Sequence, residues 1–498
     1  MIGRRGLLGT ALAAAILPRG VRAAGPPVPF DGGTVTDIAR AAAARPYSPV
    51  PTVPQEWLDL TYDQYRGIVF DHRRSLWTDT DSPVRVDLFA PGLYFERPVA
   101  VHLVEGGMAT PVPYDRDLFR HADIVPDLPS GEEIGFSGIR LRTGWEGDGN
   151  FQEFAVFQGA SYFRMIPKGG IYGLSARGLA IGTGGPGEEF PDFTTFWVER
   201  PAPGASTYVV HALLDGPTAT GAYRFEIVPG DETHVRVTAT LFAREDADHL
   251  GLAPLTSMFL FDGTNRNRFD DFRPAVHDSD GLEIHNGAGE RVWRPLANPT
   301  ELQISSFVDE DPRGFGLAQR AQEQRDFADL EALYHRRPSL WIEPGEGWGA
   351  GVVRLVEIPA DREIYDNVVA YWLPSTVLPA GESMSFSYAM TWRRGLHESP
   401  VAQVLETRIG KGFESGRQCA IDFAPHPDLA DDLEGIASHI ASSAGELSNG
   451  ILQRNPETGG VRLSFVLEPG TATLSELRAQ LRRDGRPISE VWIYRWTV

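Results

Sequence analysis

Between Tyr65 and Ala243 the chain consists almost entirely of short runs in which apolar and polar residues alternate: RGIVF, VRVDLFA, YFERPVAVHLV, FQEFAVFQ, TFWVERP, TYVVHALL, YRFEIVP and HVRVTATLFA. Each run is rich in β-branched and aromatic residues, and Gly, Pro, Asp or Asn separates it from the next. A period of two puts every second side chain on the same face of a strand, so each run has one apolar face to bury. Helical periodicity is nearly absent, and sheet packed on sheet is the way to bury many such faces at once. The fold class predicted is all-β, a large many-stranded antiparallel β-sandwich. The 53 Gly and 38 Pro suit its many turns.

A length of 498 residues exceeds one ordinary core and predicts two units. Gly25 to Pro54 is Pro- and Ala-rich, with one short helix predicted over Thr34 to Ala44 and stopped at Arg45-Pro46. LAQRAQEQRDFADLEALYHRRPSLW, from Leu317 to Trp341, breaks the alternation; it allows one or two helical turns before Pro338 and reads as a lid-like loop over the sheet. GVVRLVEIP, DNVVAYWLP and MSFSYAMTWRRG return to strand pattern, the last ending a first unit of residues 25–395. Residues 396–400 read as a linker, and 401–498 as a smaller sandwich carrying CAIDFA, GVRLSFVLEP and ISEVWIYRW. Within it, TLSELRAQLRRDG fits either one short helix or an irregular strand pair.

Arg4 and Arg5 precede the apolar run Leu7 to Leu17, and Val21-Arg22-Ala23 closes a segment with the form of an export signal over residues 1–24. The paired arginines suggest twin-arginine (Tat) export, and an ordinary secretion signal is the alternative. The run is too short to span a bilayer and no later candidate exists, so a soluble periplasmic protein is expected, with no membrane insertion. A formal charge of −21 disfavours nucleic acid and anionic membranes as partners and leaves a neutral ligand as the better fit. The single cysteine, Cys419, lies in an alternating run and is expected to be buried.

Candidate chemistry concentrates between Ser257 and Phe315, where carboxylates and arginines are interleaved with aromatic residues. Sugar hydroxyls take bidentate polar partners and a pyranose face takes a flat ring, so the mixture suits a carbohydrate site. A solvated, salt-bridged loop is the plainer reading of any single member. His277 and His285 flank Asp278, Asp280 and Glu283, but no metal-ligand spacing occurs and no metal or cofactor is predicted. No GxSxG elbow is present, and GTGGPG at Gly182 to Gly187 reads as a turn. What remains is paired carboxylates: Asp278 and Asp280 in HDSD, and Glu363 and Asp366 in DREIYDN. Trp293, Trp341, Trp348, Tyr365, Tyr371 and Trp372 are candidates for stacking on sugar, with about a third of them expected to touch it.

FRPAVHDSDGL, GERVWRPLANP, DPRGFGLAQR, RPSLWIEP, GWGAGVVRLVEIP and DNVVAYW resemble the motifs of the osmoregulated periplasmic glucan biosynthesis proteins G and D, with the twin arginine leaning toward D. YDQYRGIVF and FQGASYFRMIPKGGIYGLSARGLAI extend the likeness over most of the chain. The resemblance implies a galactose-mutarotase-like first sandwich and an immunoglobulin-like second. It also implies an inverting β-1,2-glucanase or transglycosylase with two aspartates, Asp366 as general acid and Asp278 as general base. Asp280 stands as the alternative base. Glu363, Tyr334 and Arg294 would be supporting neighbours, with Tyr334 and the Leu317 to Trp341 segment covering a water chain to the base. Arg273 and His277 would join Trp293, Trp341, Trp348, Tyr365 and Trp372 in binding substrate. The partners implied are linear or nascent β-1,2-glucan and the membrane glucan synthase. Hydrolysis and transfer both stay open. A non-catalytic, chaperone-like glucan-binding module is the alternative from another class, and a mutarotase or epimerase has only the fold behind it.

Overall fold

A computed structural model describes residues 25–145, 149–429 and 433–498; the predicted export signal lies outside the described residues. Two large sheets face each other. The first runs through Asp192–Glu199, Tyr208–Asp215, Ala219–Val228, Thr233–Ala243, Ser383–Arg393, Ser339–Pro344, Gly314–Ala318, Gly281–His285 and Arg291–Pro295, all paired antiparallel. The second contains Val84–Phe89, Gly138–Thr143, Gln152–Gln158, Tyr162–Met165, Ser175–Arg177, Leu250–Ser257, Val368–Pro374, Ala350–Glu357 and Gln303–Glu310. One continuous core fills the space between them, with rings of Phe157, Phe163, Phe196 and Phe225 in contact at its centre. The predicted sandwich is therefore present.

The helix Thr34–Ala43 buries Val35, Ile38, Ala39 and Ala42, spaced three and four apart, against the outer side of the first sheet beside Trp197, Leu213, Ala222 and Phe242. Leu317 to Trp341 contains one short helix, Gln324–Phe327, and a 3-10 turn, Tyr334–Arg336. Ala328 and Leu333, on either side of the tip between them, take left-handed backbone angles.

The first sheet does not stop at the end of the large sandwich. Arg291–Pro295 pairs in parallel with Val491–Thr497, and the sheet continues through Leu474–Arg483 and Ile436–Ser442. Val404–Lys411, Arg417–Phe423 and Val461–Glu468 form the facing layer. The core between these layers contains Cys419, Ile421, Phe465 and Leu477, and it also takes Trp293 and Ala318 from the large sandwich. TLSELRAQLRRDG contributes a single regular strand, Leu474–Arg483, with Ser475, Leu477, Ala479 and Leu481 buried. Its good helix formers are overridden because strands pair with it on both sides, and the alternation of buried positions suits that setting.

Three tryptophans share one packing device. Trp293 pairs directly with Glu283, Trp341 with Gly316 and Trp372 with Val353, and each indole reaches diagonally over the glycine two residues away: Gly281, Gly314 and Gly351. A β-carbon at any of the three would overlap the ring. Gly281→Ala is expected to destabilise the fold by about 1–3 kcal/mol through overpacking, read as a lowered denaturant midpoint with an unchanged slope.

Candidate active site

Phe259 brings two distant parts of the chain together. It pairs with His277 across a short two-stranded ladder, and the Asp278 amide donates to the Met258 carbonyl at 2.8 Å. On its other side, the Phe259 amide donates to Asn367 Oδ1 at 2.8 Å, and Asn367 Nδ2 donates to the carbonyls of Phe259 and Ile358, each at 3.0 Å. Asp278 and Asp366, next to His277 and Asn367 respectively, are thereby held near one another at the carboxyl end of Leu250–Ser257. Asn367→Leu leaves the Phe259 amide and the Phe259 and Ile358 carbonyls without these partners and is expected to destabilise the fold by about 1–3 kcal/mol, read as a lowered denaturant midpoint.

Asp278 is buried, and its carboxylate is paired with Arg337. Burial, reinforced by the charge of Asp366, pushes the Asp278 carboxyl up to about 6 against the opposing pull of Arg337. Asp366 is 38% exposed at its side chain and stands 3.8 Å from Arg164. Loss of hydration raises it as well, with Arg164 and Arg337 opposing. Each carboxyl is thus biased toward its protonated form, the setting in which one can hold a proton while the other is ionised. The Arg337 guanidinium lies 4.4 Å over the ring of Tyr334, which is buried. Burial first, then the charge of Glu363, keeps the Tyr334 hydroxyl protonated at any ordinary pH, with Asp278 adding to the effect.

Arg273 ties three loops to the site. It bonds Asp271 and Asp329, each at 2.8 Å, and reaches Glu363 at 2.7 Å. Beside each anchored carboxylate an apolar side chain points to solvent: Phe272 is 80% exposed, Leu330 77% and Ile364 73%, with Tyr365 also exposed next to Asp366. Large apolar side chains gathered in the open around charged groups are the mark of a ligand surface. Gly173 packs against Arg337, and a groove of about 580 Å³ walled by Arg140, Glu153, Tyr172 and Arg336 lies on that flank.

Of the residues singled out in the sequence, Asp278, Asp366, Glu363, Tyr334, Arg273 and Tyr365 come together here. The others do not. Asp280 is turned to different neighbours: its amide donates to the Ala318 carbonyl, and its Oδ2 accepts from the amides of Arg320 and Ala321 at 3.0 and 3.2 Å. Arg294 is buried against Glu357 at 3.1 Å, with the Tyr494 ring beside it. Trp293 lies in the C-terminal core beneath the Arg320 guanidinium, and Trp372 and Trp348 lie in the main core, where Trp348 Nε1 donates to the Ser387 carbonyl. Trp341 is half-buried over its glycines, with Arg393 on its ring, and Tyr371 packs with Val356 and Val369. His277 is sandwiched by Phe259 and Phe327, with Nδ1 on Gln319, and burial lowers it to about 4. These positions replace the expected stacking and binding roles with packing ones. Arg337, Arg164 and Asp329 went unnoticed in the sequence. Arg337 opens RPSLWIEP and Arg164 lies within FQGASYFRMIPKGGIYGLSARGLAI, so both stand inside motifs that carry the resemblance.

Residues 30–496 match the family described as periplasmic glucan biosynthesis protein, MdoG. The chain is similar to glucans biosynthesis protein G 1 of Shewanella oneidensis, 45% identical over 480 residues that cover 94% of this chain and 87% of the relative. It is equally similar to glucans biosynthesis protein G of Vibrio cholerae serotype O1, 45% identical over 477 residues with the same coverage, 94% and 87%. Both relatives are named G; the lean toward D rests on Arg4 and Arg5, which lie outside the described residues. Among solved structures, a heparan sulfate lyase HepC mutant from Pedobacter heparinus matches at 10% identity over 61% of this chain and 42% of its own, with a TM-score of 0.28, too low to bear on the fold.

Proposed function

The chain belongs to the periplasmic glucan biosynthesis protein MdoG family, and on that premise we propose that it acts on β-1,2-glucan as an inverting glucanase or transglycosylase in the periplasm. The family name carries the role in glucan biosynthesis and the compartment. Among the described residues no helix is long and apolar enough to cross a membrane. The observation that supports catalysis is the pair of carboxyls joined through Phe259, both raised by burial and one feeling the other's charge.

In this reading the exposed Phe272, Leu330, Ile364 and Tyr365 seat the sugar faces, while Glu363, fixed by Arg273, and Arg164 orient hydroxyls. Asp366, at the more open position, protonates the leaving oxygen as general acid. Asp278, on the buried side, accepts a proton as general base from the attacking water or sugar hydroxyl, with Tyr334 and Arg337 fixing its orientation. Whether water or a hydroxyl attacks decides between hydrolysis and transfer. Incubation of the mature protein with linear β-1,2-glucan tests the proposal: mass spectrometry shows shorter, extended or cyclised chains if it holds, and an unchanged distribution with demonstrated binding if it fails.

A pH dependence follows. The base works ionised, so kcat/KM falls as pH drops through about 6, where Asp278 takes up its proton. Arg337 favours the ionised form, so Arg337→Met moves that acidic limb to higher pH. A pH profile of both proteins checks the midpoint and the direction.

A further inference from the structure

A strand at the end of a sheet has a neighbour on one side only, and the backbone groups on its free side are open to pairing with another chain unless charge, proline or shortness blunts them. Most sheet ends in this protein are blunted in that way. In the second large sheet, Gln303–Glu310 closes on Asp309 and Glu310, and Val84–Phe89 at the other end carries Arg85 and Asp87. In the facing layer of the C-terminal unit, Val404–Lys411 carries Glu406, Arg408 and Lys411, while Glu446–Leu447 and Ile451–Arg454 carry Glu446 and Arg454. The first sheet begins at Val28–Pro29, which is two residues long and contains proline.

Ile436–Ser442, at the other end of the first sheet, has none of these devices. It reads IASHIAS, and from Gly435 to Gly445 there is no Asp, Glu, Lys, Arg or Pro. It pairs along its whole length with Leu474–Arg483, from Ile436 opposite Arg483 to Ser442 opposite Leu477, and among the described residues no strand pairs with its other edge. Ala437, His439 and Ala441 are exposed on the outer face, and Ile436, Ser438, Ile440 and Ser442 are half-buried on the inner one. A formal charge of −21 makes two copies of this chain repel each other in general, and this strand is a place where they can approach without that penalty.

The strand is also complementary to itself. Turned antiparallel about His439, a second copy puts Ser442 opposite Ile436, Ala441 opposite Ala437 and Ile440 opposite Ser438. Outward side chains then meet outward ones and inward meet inward, as continuation of one sheet requires. No charge meets a like charge, and the small outward alanines leave nothing to hold the backbones beyond the ladder spacing of about 4.8 Å. One and two residues further out, Gly435 meets Ser443 and Glu434 meets Ala444, so the first acidic residue also finds no like charge opposite.

We propose that Ile436–Ser442 is a docking edge for a second copy of this chain, the two copies joining antiparallel about His439 so that one sheet runs through both. The contact lies in the C-terminal unit and does not rest on the catalytic reading of Asp278 and Asp366.

Sedimentation equilibrium of the mature protein tests it. A monomer–dimer equilibrium is expected with a dissociation constant on the order of 10 μM, as suits a small contact made mainly by one pair of strands. Ala437→Glu combined with Ala441→Glu places like charges opposite each other at two points of the ladder and is expected to weaken the dimer at least about tenfold. Within one chain these positions lie opposite Arg482 and Arg478, so the fold is expected to accept both glutamates, which circular dichroism checks. Ala437→Lys combined with Ala441→Glu places opposite charges at the same two points and is expected to dimerise at least as tightly as the native protein. A native protein that stays monomeric up to about 100 μM, a dimer that the two glutamates leave unaltered, or a dimer that both double variants weaken equally overturns the proposal.

Discussion

Asparagine in place of Asp366 is expected to lower turnover of linear β-1,2-glucan by about 10²–10⁴-fold, the usual contribution of a positioned general acid. Affinity is expected to stay within about a factor of three, because the amide keeps the carboxyl's shape and removes only the transferable proton. The side chain is partly open to solvent and its nearest cation, Arg164, is 3.8 Å away, so little of the fold depends on its charge. A protein that only binds glucan would behave differently: with no chemistry to lose, substitution would change local contacts alone. Single-turnover kinetics combined with calorimetry on the same variant separates the two cases.

The second large effect is on stability. Arg320 lies in the core between the large sandwich and the C-terminal strands, where it bonds both oxygens of Glu490 at 2.8 Å, together with Glu283 and the Val404 carbonyl. Glu283 also pairs with Arg393 at 3.4 Å. Arg320→Ala leaves two buried carboxylates short of their cation and removes the group covering Trp293, so a loss of about 3–5 kcal/mol is expected. Combining Arg320→Met with Glu283→Leu and Glu490→Leu is expected to recover much of that loss, since the penalty comes from unpaired charge rather than from the missing ion pair itself. Denaturant unfolding of the two proteins gives the comparison directly.

The large-scale architecture could be read from residue order because it depends on local alternation. The runs from Tyr65 to Ala243 became strands, Thr34–Ala43 became the helix its spacing predicts, and Cys419 is buried. Leu474–Arg483 was ambiguous because Leu, Glu, Arg and Ala favour helix locally, and only pairing on both sides settles it as a strand. The tryptophans misled for a related reason. An indole in a strand looks the same whether it faces a sugar or a cross-strand glycine, and the diagonal that joins Trp293 to Gly281 exists only once the register is set. HDSD places two aspartates two apart, and backbone pairing separates them: Asp278 is held by Met258 and Asp280 by Ala318. Arg337 and Arg164 lie inside motifs that carry the resemblance and Asp329 inside the segment that breaks the alternation, but the contacts that bring them to the site join distant segments, which a single sequence does not show.

The proposed chemistry requires Asp278 and Asp366 to lie on opposite sides of one glycosidic linkage, and a crystal structure of the Asp366→Asn protein with a linear β-1,2-gluco-oligosaccharide tests this most directly. The expected result is a sugar chain across the Phe272, Leu330 and Tyr365 surface, with a linkage oxygen within hydrogen-bond reach of the amide nitrogen introduced by the substitution and Asp278 on the far face of the adjoining ring. A chain bound only elsewhere, or one that leaves both side chains on the same face of every ring, would contradict it.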